Sequence, residues 1–210
     1  MDIANLESAP NIGLYETRLV ADRDDRSADE SWTVRVALRD RRGALAAIAG
    51  SFARAGVAVR SARIATGPGG IVIDVFRVQA AEWTDWDGVR RTIDASLAAG
   101  YDRLAVEAVD ATIAIAHDPS GAHSILDVRA ADRVGLLARV AGAISRAGLE
   151  IHSATIATSG REAIDTFEVT GASGRGLTAA DERALRSALA GRRVRRRPSL
   201  IRAASRARGQ

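Results

Sequence analysis

The sequence predicts an α+β protein made of two copies of one small strand-helix-strand-strand-helix unit in tandem. Three observations predict it. Shifting the chain on itself by 92 positions, so that position 40 falls on 132, superposes Asp40-Arg41-Arg42-Gly43-Ala44-Leu45 on Asp132-Arg133-Val134-Gly135-Leu136-Leu137. The same shift carries Ala55-Gly56-Val57-Ala58-Val59-Arg60-Ser61-Ala62 onto Ala147-Gly148-Leu149-Glu150-Ile151-His152-Ser153-Ala154, and Ile64-Ala65-Thr66 onto Ile156-Ala157-Thr158. Finally, the apolar spacing changes from strand-like to helix-like and back in the same order in both copies.

Each element follows from that spacing. Val34, Val36 and Leu38 alternate with polar neighbours, as Leu126, Val128 and Ala130 do in the second copy, and mark a half-buried strand. Leu45, Ile48, Ala49 and Phe52 then fall at i, i+3, i+4 and i+7, a helical stripe repeated by Leu137, Val140, Ala141 and Ile144. Gly56 and Gly148 stand where a helix ends in a left-handed residue. In the next strand the apolar phase jumps from Val59 to Ala62 and from Ile151 to Ala154, which predicts a bulge near Ser61 and Ser153. Gly67-Pro68-Gly69-Gly70 and Ser159-Gly160 supply hairpin turns. After a one-residue gap Asp74, Phe76 and Val78 meet Asp165, Phe167 and Val169; both aspartates read as strand-start or hairpin residues. A second helix opens at Thr84 with Asp87 three residues on, and at Thr178 with Asp181, each a capping-box spacing. Its buried stripe is Trp86, Val89, Ile93 and Leu97 in one copy and Ala184, Leu185, Ala188 and Leu189 in the other.

Closed by a fourth strand, this order is the ferredoxin-like βαββαβ pattern, an antiparallel sheet with helices on one face. The closing strand is expected at Leu104 to Val109, where a linker helix is the alternative, and at Arg192 to Arg195. Between the copies, Thr112 to Ala116 and Ser124 to Val128 flank Asp118-Pro119-Ser120-Gly121, a type I turn signature, and predict a hairpin entering the second copy. The chain divides into a polar N-terminal segment 1–31, expected to be partly disordered, a first domain 32–110, a linker and hairpin strand 111–123, a second domain 124–191 and an arginine-rich tail 192–210.

Composition removes several function classes. The 210 residues are 47% hydrophobic, enough to bury two small cores. There is no cysteine, so disulfides, thiolate metal sites and thiol nucleophiles are excluded. Every basic residue is arginine, and eight of them, with no acid, lie between Arg192 and Gln210, so the formal charge of +4 resides in the tail. That tail is expected to be disordered and solubilising. No aromatic interleaves its arginines, so it offers no stacking platform and nucleic acid is not an expected partner. Met1 to Asn11 lacks the apolar segment of a signal peptide or membrane span, and a cytoplasmic location is expected. His117-Asp118 reads as turn residues, because three histidines do not supply a metal-dependent phosphohydrolase. Asp22-Arg23-Asp24-Asp25 has the look of a magnesium-binding carboxylate pair but lies in a polar stretch, 21–31, that reads as solvated linker. No phosphate-cradling or nucleophile-elbow glycine motif occurs at a strand-to-helix junction. The expectation is no catalytic set, no metal and no cofactor.

At the two Asp-Arg-x-Gly-x-Leu loops and the Gly148-Leu149-Glu150-Ile151-His152-Ser153-Ala154 stretch the chain resembles the ACT-domain family. The resemblance runs from Trp32 to about Ala190 and is closest to the C-terminal ACT pair of bacterial PII uridylyltransferases, whose loops read Asp-Arg-Pro-Gly-Leu-Leu. It implies an amino-acid-binding regulatory module of nitrogen metabolism, glutamine being the signal in those enzymes, that passes its state to a partner protein. Two departures accompany it. The loop proline is Arg42 in one copy and Val134 in the other. No nucleotidyltransferase or phosphohydrolase region is present, so the chain reads as a sensor without an engine; a truncated uridylyltransferase and a ligand-blind interaction adaptor are the alternatives.

Elementary electrostatics points to the same loops. A helix starting at Gly43 or Gly135 directs unpaired amides and its positive dipole end into the loop, where a ligand carboxylate is stabilised. Asp40 and Asp132 either face a ligand's ammonium or cap the helix. The ligand site is therefore expected to comprise Asp40, Arg41, Arg42, Gly43, Ala44 and Leu45 with Asp132, Arg133, Val134, Gly135, Leu136 and Leu137. Ser61, Ala62, Ser153 and Ala154 of the neighbouring domain's strand are expected to complete it. The two copies are expected to pair within one chain or across a homodimer.

Overall fold

Alternating apolar residues build the strands, and two helical stripes per copy build a layer that covers one side of them. The structure, a computed structural model, describes residues 12–14, 16–24, 30–65, 70–100 and 108–192. The first unit comprises β1 (Thr17–Arg23), β2 (Ser31–Arg39), α1 (Ala44–Arg54), β3 (Ala58–Ala65), β4 (Ile71–Gln79) and α2 (Trp86–Ala99). The second repeats it with β5 (Ala111–His117), β6 (Ser124–Ala131), α3 (Leu136–Arg146), β7 (Glu150–Ser159), β8 (Glu162–Thr170) and α4 (Ala179–Leu189). All of these strands join one antiparallel sheet in the order β1-β2-β4-β3-β7-β8-β6-β5.

The units meet at the middle of that sheet. There β3 pairs with β7, Ala62 opposite Ile156 and Ile64 opposite Ala154. On the helix side the inward residues form one row across the sheet, with Phe76, Phe167, Leu126 and Val34 fully buried. Helices α1 and α3 pack against each other over the junction, with α2 and α4 outside them. The alanine-rich sequence of α1 permits that close approach. A single core cluster therefore runs through both units, and the Phe52–Phe76 edge-to-face pair sits in its first half. The copies pair within one chain.

The sheet departs from expectation at its closing strand. Of the stretches Leu104 to Val109 and Arg192 to Arg195, the described residues, among them Val109 and Arg192, are outside strands, and the rest lie outside the described residues. The fourth position beside β2 is filled by β1, which precedes it, and the place beside β6 is filled by β5. The predicted hairpin of the second copy is thus its fourth strand, and the polar segment 1–31 contains that of the first. Leu19 and Ala21 of β1 face Val36 and Val34, so a strand carrying only two or three apolar residues suffices at an edge. Asp22, assigned to a linker, lies in this strand and is paired with Arg35, while Arg23 reaches Glu82 at 2.5 Å.

Local signals account for most boundaries. The expected bulges appear as register shifts between Val59 and Ser61 and between Ile151 and Ser153, which leaves Arg60 and His152 as the extra residues. The Asp118 turn closes with Gly121 N–H donating to the Asp118 carbonyl at 2.8 Å. Helix α2 begins at Trp86 and is capped by Asp85, which accepts from the Gly88 amide; the Thr84–Asp87 box is not used. Thr178 and Asp181 form the expected capping box on α4. Thr178→Ala is expected to lower stability by about 1 kcal/mol, read from urea midpoints at constant m-value.

Candidate functional site

Two clefts open between the units, related by the internal repeat. Each is built from the loop before one unit's central helix and from the strand that follows the other unit's central helix. Cleft 1, of about 260 Å³, is lined by the Asp40–Leu45 loop and, across the junction, by Leu149, Glu150, Ile151 and His152. Cleft 2, of about 250 Å³, is lined by the Asp132–Leu137 loop and by Val57, Ala58, Val59 and Arg60. Both volumes lie just below the usual small-ligand range.

The loops are held at both ends. Asp40 N–H donates to the Gly70 carbonyl and Asp132 N–H to the Arg161 carbonyl, each at 2.8 Å, which ties the loop to its own hairpin. A turn follows, closed by Ala44 N–H on the Arg41 carbonyl and by Leu136 N–H on the Arg133 carbonyl. Gly43 and Gly135 then stand at the helix N-caps with φ of 86° and 85°, a left-handed backbone that a side chain would strain. Among the described residues the amides of Leu45 and Ala46, and of Leu137 and Ala138, have no backbone acceptor, and no side chain caps either helix. Asp40 and Asp132 are therefore not N-caps. Donors and a positive dipole end remain available at one end of each cleft.

A buried carboxylate lines each cleft: Asp74 in cleft 1, 1% exposed, and Asp165 in cleft 2, 2% exposed. Burial pushes the Asp165 carboxyl up to about 7; the Ala157 amide opposes this and the nearby Asp132 carboxylate adds to it. Asp165 Oδ1 has no hydrogen-bond partner among the described residues. Leaving such an atom unpaired out of water is costly, and buried polar groups of this kind concentrate at binding sites. Both aspartates sit mid-strand, not at a strand start or in a hairpin as read from the sequence.

Ion pairs cross the junction at both mouths. Arg42 Nη2 donates to Glu150 Oε1 at 2.9 Å beside cleft 1, and Arg60 Nη1 donates to Asp132 Oδ2 at 3.3 Å beside cleft 2. His152, the counterpart of Arg60, instead shares a 2.8 Å hydrogen bond with Thr170 Oγ1.

The structure thus brings all twelve loop residues to the clefts, six to each, and corrects the strand contribution. Ser61, Ala62, Ser153 and Ala154 line neither cleft. Ala62 and Ala154 are buried in the core, and Ser153 Oγ donates to Glu168 on the opposite face. Past the bulge the residues pair with the neighbour's strand, so those offered to the neighbour's loop are the ones before it. Arg60, His152, Glu150, Asp74 and Asp165 line the clefts and were not among the expected residues. The signal for the last two was present: an aspartate in the inward phase of an otherwise apolar strand, Val72-Asp74-Phe76 and Ala163-Asp165-Phe167, at matching places in both copies. Among the described residues no group of three or more His, Asp or Glu is arranged to hold a metal ion, and no helix is long and apolar enough to cross a membrane.

The model of the ACT-domain family matches residues 124–186. The second unit is an ACT domain. The first unit repeats the ACT fold element for element, loop and bulge included. Along 188 residues the chain is 31% identical to the bifunctional uridylyltransferase/uridylyl-removing enzyme of Nitrobacter hamburgensis, covering 80% of this chain and 19% of that one. The enzyme of the same name from Phenylobacterium zucineum is 33% identical over 184 residues, 78% of this chain and 20% of that one. Identity rises to 49% over 59 residues with that of Nitrosospira multiformis, 28% of this chain and 7% of that protein. The chain therefore spans about a fifth of the length of the curated relatives it matches over most of its own length. The aspartate kinase of Synechocystis is a looser structural neighbour, at 15% identity and a TM-score of 0.45 over 75% of this chain and 26% of that one.

Proposed function

We propose that this chain is a cytoplasmic regulatory module that binds a free amino acid in the clefts between its two ACT units and signals occupancy to a partner protein. The observation that carries the reading is the twofold recurrence of one arrangement: uncapped helix amides at one end, a buried carboxylate in the wall, and the neighbouring unit's strand across the opening. Such a cleft is complementary to a zwitterion. The ligand's carboxylate takes the Leu137 and Ala138 amides, its ammonium takes Asp165 and Asp132, and Leu45, Ala46, Asp74 and Asp40 do the same in cleft 1. Because each cleft has walls from both units, ligand ties them together, and the change in their relative stiffness is the signal a partner reads.

Thermal midpoints against each of the twenty amino acids test this. A ligand at 100 times its Kd is expected to stabilise by about 2.7 kcal/mol. The similarity to uridylyltransferases makes glutamine the first to try, and PII-type uridylylation the chemistry in which to seek the partner. A selective shift, lost on changing the aspartate and glycine of the occupied cleft, Asp40→Ala and Gly43→Val in cleft 1 or Asp132→Ala and Gly135→Val in cleft 2, supports the reading. A flat panel from a cooperatively folding protein replaces it with a ligand-blind interaction module. Uridylyl transfer by the purified chain would overturn the assignment as a non-enzyme.

A further inference from the structure

Resting on that reading, we propose that the two clefts take different ligands: cleft 2 an amino acid with an aliphatic side chain, cleft 1 one whose side chain is polar and uncharged. The internal repeat makes the comparison position by position. The aspartates, the left-handed glycine and the loop arginine, Arg41 or Arg133, are common to both clefts. Among the lining positions that differ, Arg60 of cleft 2 is held by Asp132 and Gln79, and its counterpart His152 of cleft 1 by Thr170, which leaves the two positions that face each other across the junction. In cleft 1 they are Arg42 and Glu150, joined at 2.9 Å. In cleft 2 the same positions are Val134 and Ala58.

Shared groups bind what all amino acids share, so the differing pair selects the side chain. At cleft 1 a carboxylate-bearing side chain would meet Glu150 and an ammonium-bearing one would meet Arg42. A neutral side chain that both accepts and donates, a carboxamide or hydroxyl, suits the pair. Arg42 Nε is also buried without an acceptor among the described residues, a donor that an apolar ligand would leave unpaired. At cleft 2, Val134 is 49% exposed although apolar, and it lines the cleft together with Val57, Ala58 and Val59. That surface gains by covering with aliphatic carbon, and the Arg60 guanidinium that also lines the cleft is already engaged by Asp132 and Gln79.

Titration calorimetry on the full chain, with leucine and valine against glutamine, asparagine and serine, tests the assignment. The two classes are expected to bind one site each and not to compete. Arg42→Val with Glu150→Ala should weaken the polar ligand at least about tenfold, leave the aliphatic one unchanged and raise its stoichiometry from one towards two. Val134→Arg with Ala58→Glu should weaken the aliphatic ligand similarly. Amide spectra of the unmodified protein provide a reading that needs no variant: the aliphatic ligand should move Gly135 and the polar one Gly43. Competition between the classes, or one amino acid filling both clefts with equal affinity, overturns the inference while leaving the proposed function standing. Absence of binding by any amino acid overturns both.

Discussion

Asp165→Asn is expected to stabilise the folded protein at pH 8 while abolishing ligand binding in cleft 2. The carboxyl titrates near 7 in the folded chain against 3.8 when exposed, because burial opposes its charge. Between those values the folded state holds a proton that the unfolded state has released. Stability is therefore fully present below about pH 4 and is lost as pH rises through about 7, by an amount on the order of 2–4 kcal/mol. Asparagine keeps the shape without the charge, so urea midpoints between pH 5 and 8.5 should fall for the wild type and change less for the variant. A variant less stable than wild type at every pH would mean that the carboxylate pairs with a structural donor and serves the fold. The same titration governs binding. An ammonium beside Asp165 favours its ionised form, so uptake in cleft 2 should release protons near pH 6.5 and tighten as pH rises through 7, measurable as a buffer-dependent heat.

Phe167→Ala is expected to cost about 3–5 kcal/mol and to lower one transition shared by both units. The ring is fully buried in β8, opposite Leu126 and Ala154, within a core that continues through β3 and β7 and through the α1–α3 contact. The three tryptophans provide the discriminating probe. Trp32, Trp83 and Trp86 all lie in the first unit, and Trp32 packs on Trp86 with ring centroids 5.3 Å apart. If the units unfold together, tryptophan fluorescence and far-ultraviolet dichroism should shift equally in this second-unit variant. A fluorescence midpoint that stays in place while the dichroism transition splits would show that the halves fold independently, and would remove the proposed route for sensing a ligand between them.

Much of this architecture was legible in the chain because it is local. The stripes of α1 and α3, the Thr178 cap, the bulges before Ser61 and Ser153 and the Asp118 turn each depend on residues within a few positions of one another, where spacing alone decides conformation. The loops Asp40–Leu45 and Asp132–Leu137 were legible for a second reason: duplication displays the same six-residue pattern twice. What remained hidden was whatever a distant strand decides. β1 has too few apolar residues to declare itself, and becomes a strand only because β2 presents an unpaired edge with Val34 and Val36 beneath it. Arg60 and His152 are themselves polar residues after Val59 and Ile151, and only the β3–β7 pairing turns them toward the other unit's loop.

By itself, then, the amino-acid order determined two copies of one ACT-like unit, their helices, bulges and glycine-led loops, since backbone preference and burial period are properties of short segments. The tertiary structure alone decided that the copies share one sheet through β3 and β7, that each unit's fourth strand comes from the preceding segment, and that each loop opens onto the other unit. It also decided that Asp74 and Asp165 are buried, mid-strand carboxylates in the cleft walls and not turn residues. The reason is that burial and charge cost are set by what packs on a residue from afar, and for both carboxylates that neighbour is the junction between the units.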